Sequence, residues 1–322
     1  DLNRDAIRLQ SPEAKLLKQQ RDELDADWGF NLHDQSRYYS AGQHPKTAAF
    51  SFLAPAYNYE KEVNPSREDA MQLIGVLDNL LQPHLPGNVG RYNDDFEPRA
   101  FGDNIQKWGT RTVLIEVGGL KDDLEKQYLR KLHFMLFLKG LEAIADRSYE
   151  QVSRDIYESI PFNDYNNFHD LILREVEVEN NGNWYTLDIA FKQYEVDTRD
   201  GRDFYQIGEI TDVGDLSVYY GYEELQGTGL RAYAGKVYSK TLKDAKALER
   251  LNPMQLLRQG ITTVRMEEVP QGGRYRDYPL HIIATSKGVD TGVAPGERTS
   301  LILKKGKQVK YAVVNGRLFA LK

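Results

Sequence analysis

The chain has 322 residues, with 42 Lys and Arg against 48 Asp and Glu, six His and no Cys. A net charge of −6 without a long basic run argues against a nucleic-acid partner, which needs a concentrated basic surface. The lack of cysteine excludes disulfides and thiolate metal sites, so any metal falls to His and carboxylates.

Ser11-Pro12-Glu13 predicts a helix start, with Ser as N-cap, Pro in the first turn and Glu at the positive end of the dipole; the helix runs to about Asp25. Gly29 to Leu32 reads as a short buried strand ending at His33, and Thr47 to Ala54 as a second apolar strand. Ser66 is expected to cap a helix whose Met71, Ile74, Leu77 and Leu81 share one face, ending before Pro83. Thr110 to Val117 predicts a third strand, closed by Gly118-Gly119. A long helix follows from about Asp122 to Asp146, with Leu124, Tyr128, Leu132, Met135, Leu136 and Ala143 as its buried stripe. Helices alternating with apolar strands predict an α/β layer with a parallel or mixed sheet over residues 1–147. No apolar run approaches the roughly 20 residues that span a bilayer. The chain opens on Asp1 without a leader-like pattern, so this α/β domain is expected to be truncated at its N-terminus.

A polar helix near Tyr149 to Ser159, Pro161 and the Asn163 to Asn167 cluster predict a linker over 148–167. Beyond it the pattern changes to short strands. They are Leu171 to Glu179, Trp184 to Lys192, Asp203 to Ile210, Leu230 to Tyr238, Leu280 to Ala284, Thr299 to Lys304, Lys310 to Val314 and Leu318 to Leu321. Turns at Asn180 to Asn183, Asp200-Gly201, Gly272-Gly273, Pro295-Gly296 and Asn315-Gly316 separate them. Asn-Gly between apolar runs is a strong hairpin signal because both positions accept positive φ. Residues 168–322 are therefore expected to form an all-β, sandwich-like domain with one helical excursion near Leu242 to Gly260. Lys304, Lys305, Lys307 and Lys310 have the spacing of a solvated hairpin surface.

Two residues close apolar strands where ligands gather in α/β sheets, His33 and Glu116. A carboxylate at the end of Val113-Leu114-Ile115 costs energy unless it is paired, hydrogen-bonded or used. Asn3-Arg4, Asn31-Leu32-His33-Asp34 and Trp108 to Glu116 resemble, in order and setting, three motifs of the zinc metallocarboxypeptidases. The resemblance covers about residues 1–145, the later part of that family's catalytic domain.

It implies that Asn3 and Arg4 dock the terminal carboxylate of a peptide substrate, that His33 is one zinc ligand, and that Glu116 is the general base. It also implies that Tyr92 supplies the aromatic hydroxyl over the substrate. Arg suits the first role through its planar fork, and Glu the third because it can take a proton from an activated water. The family's other two zinc ligands, from a His-x-x-Glu motif, would lie upstream of Asp1. His44, His84, His133, His169 and His281 stand at no ligand-like spacing, so this chain alone is expected to be inactive while its intact parent hydrolyses C-terminal amide bonds. A periplasmic or secreted location is likewise what the resemblance implies.

Asp170 to Val178, Ile207 to Ile210, Gly227 to Leu230 and Val309 to Arg317 resemble the small β-sandwich of the amidohydrolase superfamily. Fewer than about 45 residues separate Tyr238 from Leu280, far short of a barrel of roughly 250, so a scaffold or interaction role is expected for this half. Two other readings stay open: a non-catalytic protein with a degenerate peptidase pocket that binds peptide or glycan, and an amidohydrolase-derived enzyme.

Overall fold

The computed structural model describes residues 1–165, 167–198, 200–270, 275 and 278–321. They fall into two compact units, Asp1–Phe168 and His169–Lys322. The protein is mixed α/β with a large sheet-rich part, consistent with an α/β layer followed by a sandwich-like domain. The Gly272-Gly273 turn lies outside the described residues.

After a 3-10 turn at Leu2–Arg4, the first unit runs through α1 (Pro12–Leu24), β1 (Trp28–Asp34), β2 (Ser40–Ala41), β3 (Phe50–Leu53) and α2 (Pro65–Leu81). It continues with β4 (Val89–Arg91), α3 (Phe101–Lys107), β5 (Arg111–Val117), α4 (Gln127–Ala145), α5 (Arg154–Ser159) and β6 (Asn163–Asp164). The main sheet has the order β1-β5-β3-β4. β1 is parallel to β5, β3 antiparallel to β5 and β4 parallel to β3, so the sheet is mixed.

Side chains alternate between the two faces of a strand, and here one face is mostly apolar. Val113, Ile115, Val117, Phe50 and Phe52 join Leu73, Ile74, Leu77 and Leu81 of α2 and Leu129, Leu132 and Leu136 of α4 in one core. The other face carries Thr112, Glu116 and Ser51 together with Leu114 and Leu53. Burying each large apolar side chain contributes on the order of 1.5–3 kcal/mol, which anchors the sheet through one face and leaves the second free for polar groups.

Several expectations are corrected. β1 is an edge strand, half-buried at first and exposed from Leu32 onward, because only β5 flanks it. Asn64, not Ser66, caps α2: its Oδ1 accepts from Arg67 N at 2.9 Å, while Ser66 Oγ donates to that same oxygen. Helix α4 starts at Gln127 rather than Asp122, which moves its stripe so that Leu129 is buried and Tyr128 exposed. Tyr149 and Tyr157 enter the first core, and β6 pairs with β2.

The second unit contains β7 (Phe168–Asn180), β8 (Asn183–Asp197), β9 (Phe204–Gly214), β10 (Tyr220–Gln226), β11 (Arg231–Ala234), β12 (Lys236–Val237) and α6 (Ala245–Glu249). Then come α7 (Pro253–Arg258), β13 (Ile261–Met266), β14 (His281–Ala284), β15 (Leu301–Lys305), β16 (Gln308–Val314) and β17 (Arg317–Ala320). An eight-stranded sheet follows the order β17-β16-β15-β11-β7-β8-β9, with β10 also on β7. Asn315 and Gly316 have φ of 50° and 71°, the left-handed pair that joins β16 to β17.

The hairpin of β15 and β16 is apolar on both faces. Leu301, Leu303 and Val313 enter one core with Leu171, Leu173, Ile189 and Phe191, whereas Ile302, Ala312 and Val314 enter another with Leu257, Val264 and Met266. That second core belongs to a three-stranded parallel sheet, β12-β13-β14, with α6 and α7 on the crossover. The unit is therefore not all-β. β13 follows directly after Gly260, whose φ of +82° ends α7 and lets the β-branched run Ile261-Thr262-Thr263-Val264 extend.

Candidate functional site

The parallel register of β1 and β5 sets His33 beside Glu116, and the antiparallel register of β5 and β3 sets Ser51 on the other side of Glu116. Ser51 in turn faces Gly90 of β4. One row across the polar face thus reads His33, Glu116, Ser51, Gly90, since register partners point to the same side of a sheet.

Glu116 is half-buried, and no side chain among the described residues donates a hydrogen bond to its carboxylate. Burial pushes its pKa up, against the pull of His33 and Lys126 and with the help of Asp34. His33 is exposed, and its Nε2 lies 2.9 Å from Asn31 Oδ1. Lys126 bridges Asp34 and the carbonyl of Val117, closing the end of the β1–β5 pair.

Beside Glu116 lies a polar network of which only Tyr92 was expected from the sequence. Gln35, 5% exposed, donates from Nε2 to Ala48 O at 2.6 Å and to Ser51 Oγ at 3.1 Å. Its Oε1 accepts from the Tyr92 hydroxyl at 2.9 Å, and Asn163 Nδ2 donates to Ser51 Oγ at 3.3 Å. Tyr92 also packs against Tyr39, with ring centroids 5.8 Å apart. Burial, then the charge of Glu116, drives the Tyr92 phenol well above its ordinary range. Tyr92 therefore stays a neutral hydroxyl close to Glu116. The available signal for Ser51 was a hydroxyl flanked by Phe50 and Phe52; nothing in the local pattern of Gln35 marked it.

Asn3 and Arg4 stand at the start of α3. Asn3 Oδ1 accepts from Phe101 N at 2.9 Å, and Arg4 pairs with Glu97 at 3.5 Å. A Cβ at Gly102 would come 3.2 Å from Asn31 Nδ2, so α3 lies against the residue that holds His33. A run of contacts therefore links Asn3 through α3 and Asn31 to His33. No hydrogen bond or ion pair among the described residues joins Arg4 to His33 or Glu116.

Zinc fits poorly here. No group of three or more His, Cys, Asp or Glu that could hold a metal exists among the described residues, and a catalytic zinc takes three protein ligands. One imidazole, already bonded to Asn31, does not make that set.

No protein-family model and no curated protein matches the chain. Similar solved structures are amidohydrolases. One is D-aminoacylase, described as defining a novel subset of amidohydrolases; it is 24% identical with a TM-score of 0.23, over 30% of this chain and 18% of that one. Another is N-acyl-D-glutamate deacylase from Bordetella bronchiseptica, complexed with zinc and a phosphonate inhibitor. It is 18% identical with a TM-score of 0.21, over 32% of this chain and 19% of that one. The chain thus spans about a fifth of the length of each. A superposition that short and loose carries no argument about function. No helix among the described residues is long and apolar enough to cross a membrane.

Proposed function

We propose that the first unit belongs to a carboxypeptidase-like hydrolase that cleaves amide bonds at the C-terminus of a peptide, with Glu116 as general base. The observation that supports this reading is a half-buried carboxylate with no hydrogen-bond donor, its pKa raised, set beside an imidazole across the β1–β5 register. A base of raised pKa takes a proton from water nearer neutral pH and returns it to the leaving amine. Tyr92, kept neutral, donates a hydrogen bond toward the substrate when it leaves Gln35. Asn3 and Arg4 meet the peptide carboxylate once Arg4 releases Glu97, an exposed ion pair that holds little energy. His33, the imidazole beside Glu116, would in this reading orient the substrate or its attacking water.

Release of C-terminal residues from short peptides, measured on the protein and its Glu116→Gln variant, tests the assignment. A turnover loss of about 10²–10⁴ is expected, the range that a positioned base contributes. Unchanged turnover rejects Glu116 as base. A second reading, a peptide-binding protein without catalysis, is favoured by the structural bonds that already occupy Asn3 and by the lone imidazole. It predicts that this chain binds a free-acid peptide more tightly than its C-terminal amide, with no release from either.

A further inference from the structure

The second unit holds a concave site of about 170 Å³ where the chain passes from its large sheet to its small one. Its wall includes Tyr233 of β11, Lys236 of β12, Arg258 and Gln259 at the end of α7, and Lys304 and Lys307 of the β15–β16 hairpin. Four cations line it and no carboxylate does, in a chain whose net charge is −6. Lys236, Lys304 and Lys307 have no ion-pair partner among the described residues. Lys236, Arg258, Lys304 and Lys307, distant in sequence, line one concavity, where a bound anion would relieve their mutual repulsion.

The backbone fixes that convergence. A Cβ at Gly235 would fall 2.0 Å from Thr262 Oγ1, so only glycine lets β11 turn this closely into β12. The Lys236 amide then donates to Gly260 O at 2.8 Å, which holds Lys236 against the end of α7.

Aromatic rings extend from the same wall. Lys304 Nζ lies 4.6 Å from the centre of the Tyr233 ring, Tyr233 meets Trp184 edge to face at 5.6 Å, and Arg231 covers Trp184 at 4.3 Å. Tyr233 and Trp184 remain 36% exposed each. Rings that hold the cationic side chains in place reduce the ordering cost of binding an anion. The exposed ring edges and the Gln259 amide suit a body that carries both C–H faces and hydroxyls. Stacked bases fit this less well, because the edge-to-face pair offers them no parallel platform.

We propose that this site binds a tetrahedral oxyanion ester of a sugar, with the oxyanion among Lys236, Arg258, Lys304 and Lys307 and the sugar ring against Tyr233. Calorimetric titration of the full chain at low salt with glucose 6-phosphate, glucose 6-sulfate, inorganic phosphate and glucose tests it. One or both esters are expected to bind at least tenfold more tightly than inorganic phosphate, the tighter ester identifying the oxyanion, while glucose alone gives no binding. Lys304→Gln with Lys307→Gln lowers ester affinity at least tenfold. Tyr233→Leu, with an unchanged melting temperature, reduces the esters to the level of inorganic phosphate. No saturable binding by either ester, ester binding no tighter than inorganic phosphate, or full affinity in the double lysine variant overturns the proposal.

Discussion

The polar row of the first unit and the β15–β16 hairpin of the second solve opposite problems. Both are paired strands with at least one face against a core, but the hairpin spends both faces on packing, Leu301, Leu303 and Val313 one way and Ile302, Ala312 and Val314 the other. The first sheet packs Val113, Ile115, Phe50 and Phe52 on one side and keeps His33, Glu116 and Ser51 on the other. A strand that only had to pack could have been apolar there too, as the hairpin is. The polar residues of that face are thus not required by the core beneath it, and the packing that holds the strands lies mainly on the other face.

The two-sided packing of the hairpin carries the largest expected effect on stability. Leu303 is fully buried, and Leu303→Ala should cost about 2–5 kcal/mol, the range for truncating a packed leucine. Urea unfolding followed by far-ultraviolet circular dichroism checks this; a loss below 1 kcal/mol would show that the wall is loosely packed and that its two-sided apolarity has another cause. On the polar face the corresponding test is Gln35→Leu. It leaves the Tyr92 hydroxyl and the Ala48 carbonyl without the partners they have now, and should cost about 1–3 kcal/mol, the penalty for orphaned buried polar groups. An unchanged unfolding midpoint would mean that water replaces Gln35 at no cost, and that the network does not order the row.

How legible each region was follows from the range of its interactions. The α2 stripe of Met71, Ile74, Leu77 and Leu81 and the Asn315-Gly316 turn were readable because helix periodicity and turn dihedrals are local. The pairing of His33 with Glu116 needed the register between strands 83 residues apart, which periodicity does not contain. Expecting both at strand ends was possible; knowing that they are neighbours was not. Ser66 was misread because Asn64 and Ser66 both suit an N-cap, and Pro65 settles the matter by taking the first helical position. The small parallel sheet was missed because β12 and β14 are short and become a sheet only through β13 between them. The basic site was read as solvated surface, since Lys236 and Arg258 are distant in sequence from Lys304 and meet it only through the crossover at Gly235.

A subtler change isolates the single carboxylate of Glu116. Burial raises the pKa of Glu116 above its ordinary value of 4.5 in the folded protein, so the folded state holds this proton more tightly than the unfolded chain does. Its contribution to stability is then fully present below pH 4.5 and is lost as pH rises through the folded value, where an ionised carboxylate must stay half-buried. Glu116→Gln removes that loss, so the variant should gain stability relative to the parent between pH 4 and pH 8. Asp103, pushed up to about 6 by burial, titrates in both proteins and cancels in the difference. Denaturation midpoints of the pair across that range decide the matter. Parallel curves would mean that Glu116 is as well solvated as any surface acid, and a carboxylate that pays nothing for its position has no stored basicity to give a substrate.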